Sequence, residues 1–299
     1  MKKILSMILL LCVAFSVEVR GDEKVPQDVT AVYLVGDACM GWGKYVALNK
    51  VSDSPRVYDL KMYLKENENG YFRFHTDKNQ DNNGTSLKPQ TAKKEFGKEG
   101  LTSDNKFWHG SWADNNWVVK TAGAYHLVLD LDAMTLTATY IGPDFTSLGG
   151  KLDIYIIGKE FGEWDLSKGK KLDYVGNGTY RYKGHFNANN EFRFTANLTN
   201  YDGLNFQPGA SSNWETTALV ADNEQTAPYY EKCDRNWYFT ADGYYTIDLK
   251  LGATPGDTKI IAYDYMASLP TGQQLQETVK KGVTTMLHSA TSTATWSLV

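Results

Sequence analysis

"NNWVVKTAGAYHLVLDLDAMTLTATYIG", residues 115–142, decides how this chain folds. Its middle, "AYHLVLDL", alternates apolar and polar side chains, the period of a strand with one face buried. The alternation ends at Asp130 to Asp132, a turn signal, and "MTLTATYI" then starts a second strand, so the stretch predicts an antiparallel hairpin.

The same phrase returns further on. "NNWVVKTAGAYHLVLDL" at 115–131 matches "DRNWYFTADGYYTIDLK" at 234–250, "YFRFH" at 71–75 matches "EFRFT" at 191–195, and "VYLVGDACMGWG" at 32–43 matches "IYIIGKEFGEWD" at 154–165. Three segments in one order at a nearly constant offset of about 120 residues predict a tandem duplication. Short runs of Val, Ile, Tyr, Phe and Thr fill both copies, separated by Asn69-Gly70, Asn83-Gly84, Gly176-Asn177-Gly178 and Asp242-Gly243. The predicted fold is all-β: two antiparallel β-sandwich modules at 28–141 and 151–266, joined by a Gly- and Pro-containing linker at 142–150. Residues 267–299 have no counterpart after the first module; Leu275, Val279, Val283, Met286 and Leu287 would share one face of a helix there, and a frayed tail or a truncated third module are the alternatives.

Lys2 and Lys3, the apolar run Ile4 to Val17, and Val19-Arg20-Gly21 read as a signal peptide at 1–21, with the mature chain starting at Asp22. Acylation at Cys12 is the rival, but the small residue expected before such a cysteine is missing. The net charge of −4, more negative after cleavage, disfavours nucleic acid and anionic membranes as partners. No stretch of the mature chain is long and apolar enough to span a bilayer, and Cys39 and Cys233 imply no disulfide framework.

Two copies in one chain serve as a control. Residue types kept at matching places are explained most simply by the fold, which makes Trp42 and Trp164, and Phe72, Phe74, Phe192 and Phe194, core residues. Trp117 and Trp237 also match, yet each opens a strand after a polar loop, so packing and binding stand level for them. Trp108 and Trp112, in "FWHGSWADNNW", have no matching tryptophan; the second copy offers Tyr229 and Tyr230 nearby, and Trp214 stands in another polar stretch. Large aromatics among Asn, Asp, Lys and Arg suit a pyranose, whose C–H face stacks on a ring while its hydroxyl edge bonds amide, carboxylate and cationic groups. One ring covering ~80 Å² contributes about 2 kcal/mol, so two rings and several hydrogen bonds are needed for a useful site.

"YLVGDACMGWG", "GYFRF", "SLKP" and "NWVVKTAGAYHLVLDLDAMTLTATYIG" resemble the modules of the SusE and SusF outer-membrane proteins of bacterial starch-utilisation systems. The resemblance covers both repeats. It implies immunoglobulin-like sandwiches that bind starch without catalysis, beside a TonB-dependent transporter at the outer membrane or cell surface, with the periplasm or secretion as alternatives. By loop position it places the aromatic platform on Trp108, Trp112 and Trp117, with Lys106, Asp114 and Asn116 as polar neighbours. In the second module the platform falls on Tyr229, Tyr230 and Trp237, with Lys232, Asp234 and Arg235.

Little supports an enzyme. His75, His109, His126, His185 and His288 lack metal-ligand spacing, and no HExxH, GxSxG or phosphate loop occurs, so neither metal nor cofactor is expected. His109 reads as a surface or sugar-bonding residue, Asp130 and Asp132 as turn formers. A rival to glycan capture is a structural or docking subunit of an outer-membrane complex, with the loop aromatics against a protein partner.

Overall fold

The structure, a computed structural model, describes residues 24–66, 70–209, 214–230 and 234–264. The signal segment, Lys232, Cys233 and the 267–299 tail lie outside the described residues. No α-helix occurs among them: every element longer than a short 3-10 turn is a strand, as the period-two patterning requires. Two compact units result, one from the described part of Met1–Leu148 with Asn197–Leu204, the other from that of Gly149–Ala196 with Asn205–Val299.

The first unit holds β1 (Tyr33–Gly36), β2 (Gly41–Ala47), β3 (Asn49–Asp53), β4 (Arg56–Leu64), β5 (Tyr71–His75) and β6 (Ser86–Pro89). After them come β7 (Lys93–Phe96), β8 (Phe107–His109), β9 (Asn116–Val119), β10 (Gly123–Asp130) and β11 (Thr135–Gly142). The quoted hairpin is β10–β11, with Leu127 opposite Ala138 and Leu129 opposite Leu136. It joins β4 and β3 in a four-stranded sheet of order β11-β10-β4-β3. Along β4 burial alternates residue by residue, so Tyr58, Leu60 and Met62 meet the core together with their partners Leu129, Leu127 and Tyr125.

The facing sheet has seven strands in the order β2-β1-β5-β6-β8, and it forks at β5. Tyr71 and Phe72 pair with Val118 and Trp117 of β9, whereas Phe74 and His75 pair with Leu87 and Ser86 of β6. Arg73 stands at the fork. Beyond β9 lies β7, which runs parallel to it, so the sheet is not purely antiparallel. Gly36 pairs with Phe72, and a Cβ on it would lie 2.3 Å from the Tyr71 carbonyl oxygen; with φ at +135°, only glycine fits.

The second unit repeats this plan with β12 (Tyr155–Gly158), β13 (Lys170–Lys171), β14 (Asp173–Gly176), β15 (Thr179–Phe186), β16 (Phe192–Thr195) and β17 (Asn205–Phe206). It continues through β18 (Trp214–Ala218), β19 (Gln225–Thr226), β20 (Tyr229–Tyr230), β21 (Asp234–Tyr238), β22 (Gly243–Lys250) and β23 (Lys259–Asp264). Its seven-stranded sheet runs β13-β12-β16-β17-β20 and forks at β16: Phe192 pairs with Trp237 of β21, Phe194 with Phe206 of β17. The parallel pair recurs as β18–β21, and β14-β15-β22-β23-β19 form the opposite sheet. Both units are therefore all-β sandwiches built on one strand order.

Two smaller expectations are refined. Within 142–150, Phe145–Leu148 forms a 3-10 turn whose Phe145 and Leu148 are fully buried, so this part of the linker is packed chain. Cys39 is buried, donates to the Gly36 carbonyl at 3.0 Å, and burial pushes its thiol up to about 12, which makes it inert at neutral pH.

Asp130 caps the β10–β11 turn by accepting from the amides of Asp132 and Ala133 at 2.9 and 2.8 Å, as expected of a turn former. Asp132 does more, accepting from the Arg56 amide and from its Nε, each at 2.8 Å. Those bonds, the amide first, hold its carboxyl below the usual range. A folded pKa below the unfolded value of about 3.9 stabilises above that value and stops doing so as pH falls through the folded one. Acid unfolding of the first unit should thus begin below about pH 4, and Asp132→Asn should flatten this limb in a pH series of urea titrations.

Candidate functional site

Strand alternation divides the seven-stranded sheet into two faces. Phe72, Phe74 and Leu87 face the core, so Arg73, Lys88 and Trp108, the last two cross-strand partners, fall on the outer face. Arg73 organises that face. Its Nε donates to His75 Nε2 at 3.1 Å and its Nη2 to the Gln80 carbonyl at 2.7 Å. Burial, then the nearby Arg73 charge, pushes His75 down to about 4, leaving the imidazole neutral and able to accept that bond.

The guanidinium carbon lies 5.0 Å from the ring centroid of Trp42, a cation–π contact, and Nη1 lies 3.8 Å from Asp114 Oδ1. Trp42 Nε1 donates to Asp37 Oδ2 at 2.9 Å. The indole is thus held by one edge and one face while remaining part-exposed. In the second unit Arg193 lies 5.3 Å from the Trp164 ring, with its Nη1 3.6 Å from Asp234 Oδ1. Trp164 is part-exposed as well. Both copies carry one Trp–Arg–Asp set.

This corrects the reading of Trp42 and Trp164 as core plugs. A residue type kept at matching places in both copies need not be a core residue. The signal available was the arginine in "YFRFH" and "EFRFT": alternation puts it opposite two core phenylalanines, and a cation there needs an outer partner.

Of the first-module residues expected to bind, Trp112 is 71% exposed and Trp108 part-exposed at the edge strand β8. The exposed Asp114 reaches Arg73 and accepts from Asn116 Nδ2 at 3.3 Å. Trp117 is a correction: it is fully buried, stacked on Phe72 at 5.7 Å and edge-on to Phe74 at 5.3 Å, and cannot meet a ligand. Asn116 is buried beside it. Lys106 turns to the β10–β11 connection, its Nζ donating to the Ala133 carbonyl at 2.9 Å. His109, expected on the surface, is buried opposite Leu87.

In the second unit Trp237 is also corrected to a fully buried core ring; it packs on Phe194 at 5.7 Å, and its Nε1 donates to Gln225 Oε1 at 3.3 Å. Arg235 is buried and Asp234 exposed. Tyr229 and Tyr230 form β20, opposite Phe206 and Asn205. That makes β20 the edge strand equivalent to β8, and Pro228 the counterpart of Trp108. Trp214 starts β18 opposite Asp234, in a strand rather than the loop its neighbours suggested.

Among the described residues no group of three or more His, Cys, Asp or Glu is arranged to hold a metal, and no helix is long and apolar enough to cross a membrane. No family model matches the chain, and no curated protein sequence matches it. Among solved structures it is similar to the crystal structure of SusF from Bacteroides thetaiotaomicron, at 16% identity and a TM-score of 0.29 over 81% of this chain. The chain spans half the length of that protein.

Proposed function

We propose that the chain binds a neutral polysaccharide, an α-glucan of the starch type, without catalysis at the bacterial cell envelope, using the outer face of the seven-stranded sheet in each unit. One observation carries this reading: the matched sets Trp42–Arg73–Asp114 and Trp164–Arg193–Asp234, each with a part-exposed indole fixed by a guanidinium. An aromatic ring whose tilt is set in advance costs less to order when a sugar stacks on it, and the exposed Asp carboxylate beside it can accept from the sugar's hydroxyls. In the first unit Trp112 supplies a second ring.

The setting favours a hydroxylated ligand over a protein partner. Among the described residues of the first unit the large apolar side chains left exposed are Val51, Trp112 and Tyr201, which stand on β3, the β8–β9 connection and the 197–204 segment, whereas the centre of a protein interface is a continuous apolar patch. The resemblance to starch-utilisation modules supplies the glycan class, the outer-membrane setting and a TonB-dependent transporter as neighbour. Two sites on one polymer would gain by avidity.

Affinity electrophoresis of the exported chain in gels containing starch, pullulan or other glycans tests this. An α-glucan should retard the wild type. Removing a ring that covers ~80 Å² costs about 2 kcal/mol, so Trp42→Ala and Trp164→Ala together should abolish retardation. Unretarded migration of the wild type throughout the panel would overturn the reading, and protein cross-links in the envelope would then favour the docking role.

A further inference from the structure

Lys88 is 1% exposed on the outer face of a sheet, where a lysine would ordinarily reach water. It is held there by three bonds: its Nζ donates to Asn83 Oδ1 at 2.8 Å, to the Ser111 carbonyl at 3.0 Å and to the Ala113 carbonyl at 2.8 Å. The two carbonyls flank Trp112. We propose that Lys88 is the positioning residue of the first unit's glycan platform, clamping the backbone on both sides of Trp112 so that an otherwise loop-borne indole is held outward at a set angle. This rests on the reading of that face as a glycan site.

The donor count makes the clamp conditional. An ammonium has three N–H groups for three acceptors; a neutral amine has two, and its lone pair must face an oxygen. One anchor is then lost, together with the charge assistance of the others. The groups around Nζ leave it poorly defended against deprotonation. From β5 come Arg73, a cation, and His75, held neutral; from β8 comes the uncharged Trp108, from the 3-10 turn Asn83–Thr85 the amide of Asn83, and from the loop Asp114, the single opposing charge among them. Burial first, then Arg73, lowers the Lys88 pKa to about 8. The clamp is therefore complete below neutrality and loosened, by the loss of one anchor, in mildly alkaline solution. In the second unit Phe206 takes the place of Leu87 and Gln207 that of Lys88, a side chain with no proton to lose.

Global stability moves the other way, which isolates the effect. An unfolded lysine keeps its proton to about pH 10.4, so between the folded and unfolded values the unfolded state binds more protons and unfolding becomes harder as pH rises. Loop order should fall while the fold does not.

The test uses the exported chain carrying Trp164→Ala, which leaves the first unit as the binding site. Starch affinity and amide hydrogen exchange across residues 110–115, corrected for intrinsic pH dependence, are followed from pH 6.5 to 9.5. Affinity should weaken about fivefold and exchange should quicken by a similar factor as Lys88 deprotonates, while the urea midpoint holds or rises. In Lys88→Gln both readouts should be flat and already at the alkaline level. If that variant does not fold, the wild-type profile decides. Quickened exchange without starch binding at any pH would support the clamp and sink the glycan reading; starch binding with flat exchange and flat affinity would overturn the clamp and leave the glycan reading standing.

Discussion

Trp117→Ala is expected to cost the first unit about 3–5 kcal/mol, enough to unfold a marginal sandwich. The ring is fully buried between Phe72 and Phe74, and it belongs to β9, the strand that carries one arm of the fork. Truncation leaves a cavity in a close-packed aromatic cluster that reaches Phe96 and, through it, Tyr125 on the facing sheet. A urea titration read by near-ultraviolet circular dichroism should show one transition displaced to low denaturant and the other kept. Had Trp117 been a sugar platform, its removal would weaken starch retardation and leave the unfolding curve in place; that outcome would refute the packing role.

The second large effect is at Gly36, where alanine should cost about 3 kcal/mol or more. Its Cβ would lie 2.3 Å from the Tyr71 carbonyl oxygen and 2.6 Å from the Phe72 Cα, backbone atoms that cannot turn aside, and its φ of +135° is strained for any L side chain. Relief requires β1 to lift from β5. Because β5 carries Arg73, the Trp42–Arg73 contact would be disturbed as well, so Gly36→Ala should lower the unfolding midpoint and, under the proposed glycan reading, starch affinity too. Full stability in this variant would show that the two strands have slack the geometry denies.

Much of this was legible in the residues. The repeats follow from matched segments, and the strands, the β10–β11 hairpin and the four core phenylalanines from alternation, because a strand with one wet face has to show it. The site was half legible. Trp112 is exposed as its polar surroundings suggested, but Trp117 and Trp237 were undecidable: a ring that opens a strand can point to either side of the sheet, and only pairing with Phe72 and Phe192 fixes which. Trp42 and Trp164 were misplaced because their partners, Arg73 and Arg193, are remote in sequence and meet them only when β5 and β16 pair with β1 and β12. Lys88 could not be found at all. Its meaning lies in carbonyls of a loop it does not adjoin in sequence.

The fork has a further consequence for how such a chain diversifies. Where a ladder splits, the strands no longer satisfy every carbonyl in the gap; in the first unit Lys88 bonds those of Ser111 and Ala113, and Asn115 Nδ2 donates to that of Pro89 at 2.8 Å. Upkeep of the gap is thus assigned to a few side chains, not to the ladder as a whole. An insert there can be rewritten with little risk to the frame, and the two copies have done so: "FWHGSWADNNW" against "APYYEKCDRNW" on one unchanged trellis.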